Sequence, residues 1–368
     1  MCRALWTRIV LNCIFVTISR SALGQTASFQ GLGDLPGGAT EGYAIGVSAD
    51  GQAVVGHGWS TAGDQAFVWT QVTSMVGLGD LPGGAFDSFA TMASNGGTIA
   101  VGYGSVPDGY RPFRWTGGGM VNMGDLAGGG SNGFATGMSS DGGVVSGQRN
   151  SASCTEAFRW TQGGGMIGLG DLPGGAFSST AWGVSADGTA IFGNGTTAAG
   201  TEAFVWTEAG GMVELGSLPG GSVFSGAHGA SDGGVFVVGA SDSANSGPSG
   251  AEAFHWSAAG GMVGLGDLPG GLFGSFANGI SADGRVVVGG SETDVGTQAY
   301  IWTPQLGMQN LKEHLLALGV TNVAGWTLRN APRSLSRRHR HHRLRGQSFR
   351  SERTLDCSNP TARHSHRL

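Results

Sequence analysis

Three glutamates share one register of a repeated segment: Glu156, Glu202 and Glu252 each stand directly before an Ala-Phe pair. Carboxylates gathered on one face can grip a cationic or hydroxyl-rich ligand, and a pair flanking a glycosidic bond can act as acid and base. Trp59, Tyr103 and Tyr110 lie in the corresponding segments of other units, where their rings can stack on a ligand. These six residues form the candidate ligand site. The plain alternative for the glutamates is a solvated acidic rim. Asp34, Asp80, Asp125, Asp171 and Asp267 also recur, before Leu-Pro-Gly-Gly or its Ala variant. Pro-Gly suits the centre of a type II turn, and an Asp before it can close an Asx-type turn. Calcium is the alternative, but it needs six to eight oxygens, and this spacing is neither that of an EF-hand nor that of a nonapeptide repeat.

No catalytic or metal-ligating residue is assigned. His57, His228, His255 and His314 do not stand at metal-ligand spacing. None of the many glycine strings opens a helix as a phosphate loop must. No serine sits where a strand turns into a helix, as a nucleophile elbow requires. No cofactor is expected, calcium being the one left open.

The elements that position these residues repeat six times. Copies begin at Gly31, Gly77, Asn122, Gly168, Glu214 and Gly264, in steps of 46, 45, 46, 46 and 50 residues. Each reads Gly-Leu-Gly-Asp-Leu-Pro-Gly-Gly, then Ala-x-Gly-x-Ser-x-Asp-Gly, Val-Val-Gly, Ala-Phe-x-Trp-Thr and Gly-Gly-Met, with local variation. Four short strands are expected per unit, called A to D here. Strand A precedes an Asp-Gly turn, a strong hairpin signal. Strand B is the Val-rich run. Strand C carries Phe67/Trp69, Phe113/Trp115, Phe158/Trp160, Phe204/Trp206, Phe254/Trp256 and Tyr300/Trp302, whose two-residue spacing puts both rings on one face. Strand D starts at the Met of Gly-Gly-Met and runs into Gly-Leu-Gly-Asp. Four antiparallel strands in about 46 residues make the blade of an all-β propeller. A β-solenoid is the rival, but its coils are usually shorter and lack a hairpin in every unit.

From Gly31 to Leu328 these motifs, in fixed order, resemble the HAF repeats of bacterial proteins predicted to be extracellular. The resemblance implies secretion and a repeat fold, and no mechanism. The chain departs from it at the name-giving His, where Gln65, Arg111, Glu156, Glu202, Glu252 and Gln298 stand instead.

In an A-B-C-D meander the A–B and C–D turns lie on one face and the B–C and D–A loops on the other. The A–B and C–D turns keep their spelling. The B–C loops differ from unit to unit, for example His57–Gln65, Tyr103–Arg111 and Gln148–Glu156. Variable loops on a repeating scaffold point to that face for binding.

Glycine supplies 72 of 368 residues without a three-residue period, which excludes collagen. The net charge of −5 hides an acidic body: residues 25–328 hold six basic and 23 acidic groups, whereas the last 40 residues hold eleven arginines. Such a body disfavours nucleic acid and suits cations, basic partners or neutral glycans. Residues 1–24 read as an export signal, with Arg3 and Arg8, an apolar run from Ile9 to Ile18, and Ala22-Leu23-Gly24. That run is too short to span a bilayer. Cys2, Cys13, Cys154 and Cys357 make no framework, and Cys154 reads as a loop residue.

The propeller is expected over 25–311. Residues 312–331 read as a short helix, over Leu311–Gly319 with Leu311, Leu315 and Leu318 on one side, and the start of a seventh repeat at Gly325-Trp326-Thr327-Leu328. Residues 332–368 read as a disordered basic tail or as a frameshift. Read one base on with permitted codons, Arg333 to Gly346 can spell Gly-Leu-Ser-Pro-Asp-Gly-Thr-Val-Ile-Thr-Gly-Tyr-Gly, the A–B hairpin of a seventh unit. Phe29–Gly33 is then a strand D with no blade before it. The expected function is a secreted, non-enzymatic scaffold binding a glycan or protein through its B–C/D–A face. A glycan-active enzyme and a calcium-dependent surface protein are the alternatives.

Overall fold

Each Ser-x-Asp-Gly turn folds two strands together by a small hydrogen-bond set. The Gly51 N–H donates to the Ser48 carbonyl at 2.8 Å, and Ser48 Oγ donates to Asp50 at 2.6 Å while accepting the Ala53 N–H at 2.9 Å. Gly51 adopts φ 63°, in the left-handed region that a side chain disfavours. Ser139/Asp141, Ser185/Asp187 and Ser281/Asp283 repeat the contact. Units two and five use 3-10 turns over Asn95–Gly97 and Asp232–Gly234 instead.

The computed structural model describes residues 6–11, 14–19, 31–38, 41–130, 132–247, 250–323 and 327–328. Six antiparallel sheets of four strands follow one another, each in chain order. The first is Gly42–Val47, Ala53–Trp59, Asp64–Thr70 and Ser74–Gly77. The later sheets open with strands A at Ser88–Ala93, Gly133–Met138, Gly174–Val184, Ser225–Ala230 and Ser275–Ile280. The fold is a six-blade β-propeller. Trp6–Leu11 and Ile14–Ser19 pair as a separate hairpin.

Every strand A carries a bulge at one place. Register slips between Ala44 and Gly46, so the ladder skips Ile45, and the same slip recurs at Thr91, Thr136, Trp182, His228 and Asn278. The bulge presses a strand A carbonyl onto the glycine of Val-Val-Gly. A Cβ on Gly102 would sit 1.9 Å from the Phe89 oxygen, and one on Gly289 2.0 Å from the Phe276 oxygen. Three of these side chains reach the next blade. Thr91 Oγ1 donates to the Ala135 carbonyl at 2.9 Å, Thr136 Oγ1 to that of Ala181 at 2.7 Å, and His228 Nδ1 lies 3.1 Å from that of Ala277.

The core lies between blades. Ala53, Val55, Ala66 and Val68 of blade 1 meet Leu78, Leu81, Ala90 and Phe113. Equivalent clusters join blades 2 and 3, 3 and 4, 4 and 5, and 5 and 6. The Phe/Trp pairs take equivalent places, with the Phe, or Tyr300, wholly buried; Trp69 is buried and the other five Trp rings are half-buried.

A second link crosses four of these interfaces. Ser88, Ser179, Ser225 and Ser275 each accept the N–H of the strand C alanine of the preceding blade, at 2.8–3.0 Å, and donate to a glycine carbonyl in the D–A connection, at 2.5–2.7 Å. At the interface of blades 2 and 3 both partners change together. Pro112 has no N–H to give, and Gly133 has no hydroxyl.

Three expectations need correction. Helix α1 spans Leu311–Ala317, and Leu318 lies past it and exposed, because the turn ends at Gly319 with φ 83°. Gly31–Gly33 form no strand, while Phe29 and Gln30 lie outside the described residues, as do residues 332–368. Cys154 lies in a loop as read, but it is disulfide-bonded, which the reading of the cysteines did not include.

Candidate functional site

The three glutamates do not converge; each braces its own blade. Glu156 Oε1 accepts the Gly170 N–H and Glu252 Oε1 that of Gly266, both at 3.1 Å. Glu202 accepts from Thr197 Oγ1 at 3.0 Å and Ser217 Oγ at 3.3 Å. Glu202 and Glu252 are only 6% and 7% exposed, so the acidic rim expected from their register is not formed by them. The Glu156 and Glu252 side chains turn into the start of the D–A connection because strand D gives way: Gly168 and Gly264 leave room that a Cβ would fill at 2.1 Å from the carboxylate. Blade 4 has Glu214 at that place. Its hydrogen bond with Glu202, then burial and the neighbouring charge, raises its pKa.

Tyr103 and Tyr110, by contrast, are brought together, with ring centroids 5.7 Å apart and planes at 85°. They belong to a longer run. Tyr43 stacks on His57 at 5.1 Å, His57 meets Phe89 edge-on at 4.6 Å, and Phe89 stacks on Tyr103 at 5.0 Å. Phe134 closes the run at 4.9 Å from Tyr103. Tyr43, Phe89 and Phe134 occupy one position at the start of strand A in blades 1, 2 and 3, and His57 and Tyr103 are their strand B partners. All lie beside the B–C and D–A loops. Blades 4 and 5 place Thr180/Asn194 and Gly226/Ala240 there, and blade 6 pairs Phe276 with Gly290, so the stacked run itself spans blades 1 to 3.

Polar groups hold its edge. His57 Nδ1 lies 2.8 and 2.9 Å from the two Asp64 oxygens, and Tyr110 donates to Asp87 at 2.7 Å. Beyond Tyr110, Arg111 pairs with Asp108 at 2.7 Å and lies 3.6 Å from Asp125, which also holds the buried Arg149. Tyr43 is 55% exposed and Trp59, at the end of strand B, 44%. Rings bared to solvent beside fixed carboxylates offer an apolar face with hydrogen-bond acceptors at its margin.

The recurring aspartates close loops. Asp171 accepts Leu172 N–H at 2.8 Å and Ser178 N–H at 2.7 Å, and Asp80 accepts that of Asp87 at 3.3 Å. Burial raises the pKa of Asp80, against the hydrogen bonds from Leu81 and Asp87. Among the described residues no group of three or more His, Cys, Asp or Glu could hold a metal ion. No helix among them is long and apolar enough to cross a membrane.

Sequence reasoning missed Tyr43, His57, Asp64, Asp87, Phe89 and Phe134. Their one signal was that rings recur at the strand A position of blades 1, 2 and 3, as Phe276 does in blade 6, and that only blades 1 and 2 add a ring on the strand B partner.

No family model matches the chain, and no curated protein does. Among solved structures, the β-propeller domain of the Trilobed protease from Pyrococcus furiosus superposes with a TM-score of 0.48 at 10% identity, over 84% of this chain and 95% of that one. An oligogalacturonate lyase in complex with manganese gives 0.47 at 11%, over 73% and 76%. TolB from Acinetobacter baumannii gives 0.43 at 12%, over 71% of this chain, which spans 60% of that protein's length.

Proposed function

We propose that this protein is a secreted, non-enzymatic binding scaffold that holds a hydroxyl-rich glycan on its B–C/D–A loop face, at the aromatic run of blades 1 to 3. The supporting observation is the continuous series Tyr43–His57–Phe89–Tyr103–Tyr110, bordered by Asp64 and Asp87. A pyranose ring presents apolar C–H groups on its faces and hydroxyls at its rim. Flat rings serve the first and carboxylates the second. The acidic body favours neutral over anionic sugars. The apolar N-terminal run and the likeness to HAF repeats support export of the chain.

Affinity electrophoresis against neutral and acidic polysaccharides tests this reading. Retardation by a neutral polysaccharide is expected, with Tyr43→Ala and Tyr103→Ala each weakening binding about 2- to 10-fold. Tyr43 is exposed, so its loss should leave the melting temperature in place. No retardation by any polysaccharide would sink the proposal.

One contact favours a second reading, a glycan-active enzyme. With Asp64 accepting from Nδ1, the basic nitrogen of a neutral His57 is Nε2, the arrangement of an oriented general base. Release of reducing ends from a bound polysaccharide, abolished by His57→Ala, would establish it.

A further inference from the structure

The six blades leave one interface without two halves. Five inter-blade clusters each combine the leading face of one blade with the trailing face of the next. The trailing face of blade 1 forms a cluster of its own, with Val54, Phe67 and Trp69 packed on Leu35 and Leu32 and no contribution from blade 6. A cleft lined by Leu32, Ala44, Phe67 and Met75 opens on that side. The leading face of blade 6, with Val288, Ala299 and Ile301, packs on α1 and on Val323 and Leu328.

Leu328 marks what belongs between them. In four blades the N–H of a strand C alanine is accepted by the Oγ of the serine that opens the next strand A, 22 positions on, whereas in blade 6 a backbone carbonyl takes that role. Ala299 is the equivalent alanine of blade 6. Its N–H donates at 2.8 Å to the Leu328 carbonyl, with α1 accounting for the longer interval. The chain at Leu328 thus stands where a seventh strand A begins. At the other end, Leu32 and Leu35 take on blade 1 the places that Leu78 and Leu81 take on blade 2, as the connection leaving a preceding strand D would.

We propose that this seam is the seat of a seventh blade, and that its strands A to C are encoded one base out of the present reading frame after about Ala331, with Phe29–Gly33 supplying its strand D. The spelling after Ala331 carries the choice of occupant. Arg333 to Gly346 shifted by one base can give a Ser-x-Asp-Gly turn followed by a Val/Ile-containing run and a glycine, in the order and spacing of the other six units. Closing the ring would also cover the blade 1 cleft and pair both sheet edges.

Two measurements test the proposal. Sequencing the gene around the Ala331 codon should show a shifted frame that spells the turn and continues through an aromatic-bearing strand. Stops or a polar string in that frame would overturn it. The full chain and a frame-restored full chain should then be compared by thermal unfolding. Restoration should raise the midpoint by several degrees and protect Phe67-side amides from hydrogen exchange. Equal midpoints and equal exchange would overturn it even if the spelling fits.

Discussion

Ser225 Oγ accepts the Ala203 N–H at 2.8 Å, and the same hydroxyl donates to the Gly216 carbonyl at 2.6 Å. One side chain thereby satisfies a buried strand C donor of blade 4 and the connection that leads into its own blade 5. Ser225→Ala leaves both groups without this partner in a place closed to water. The expected loss is about 1–3 kcal/mol, read from urea unfolding. A cost no larger than that of an exposed Ser→Ala control would show that the hydroxyl links nothing.

The companion interface predicts the opposite. Gly133→Ser should gain nothing, because Pro112 offers no N–H and Arg149 already fills the space, 2.6 Å from where a Cβ would stand. A stabilised Gly133→Ser variant would count against the pairing of these two changes.

The glycine of Val-Val-Gly is predicted to resist substitution. Gly102→Ala puts a methyl group 1.9 Å from the Phe89 oxygen, so the bulge or the strand must move. A loss on the order of 3 kcal/mol or more is expected. Gly117→Ala, with open space at the Cβ, is the control and should be nearly silent.

His228 makes stability depend on pH. Burial lowers its pKa below the ordinary 6.5, against the hydrogen bond to Ala277 that raises it. Above 6.5 the ring is neutral folded or unfolded, and its contribution is fully present. As pH falls below 6.5 the unfolded chain takes up a proton that the folded chain refuses, so stability declines until the folded pKa is passed. Thr91 and Thr136 make the same neck contact without titrating, so His228→Thr should fold and flatten the decline between pH 6.5 and 5. His255, also lowered by burial, acts in the same direction. An unchanged slope in the Thr variant would remove His228 from the effect.

The blades were legible because their signals are local. Asp-Gly marks hairpins and Phe-x-Trp marks one face of a strand. The bulges were not, since a skipped residue such as Thr91 leaves no mark in composition; its trace is the glycine opposite, at 102. The aromatic run was hidden for another reason. Tyr43, Phe89 and Phe134 come from three blades, and only the ring brings them side by side. Register told that Glu156, Glu202 and Glu252 share a place, but not that each side chain turns into its own blade.

That last difference is open to direct measurement at Glu252. Its Oε1 accepts the Gly266 N–H at 3.1 Å, inside a turn that Leu265 and Leu268 help to bury. A glutamine keeps an oxygen at the same reach, and blades 1 and 6 already carry Gln65 and Gln298 in this register, with Gln298 accepting from Asn310. Glu252→Gln should therefore leave the unfolding midpoint nearly in place, whereas Glu252→Ala should cost about 1–3 kcal/mol by leaving the N–H without its acceptor. Polysaccharide retardation should be unaltered in the Gln variant, because the charge itself plays no part in the brace. Loss of retardation with stability retained would instead return the glutamates to the ligand site and move that site away from Tyr43 and Tyr103.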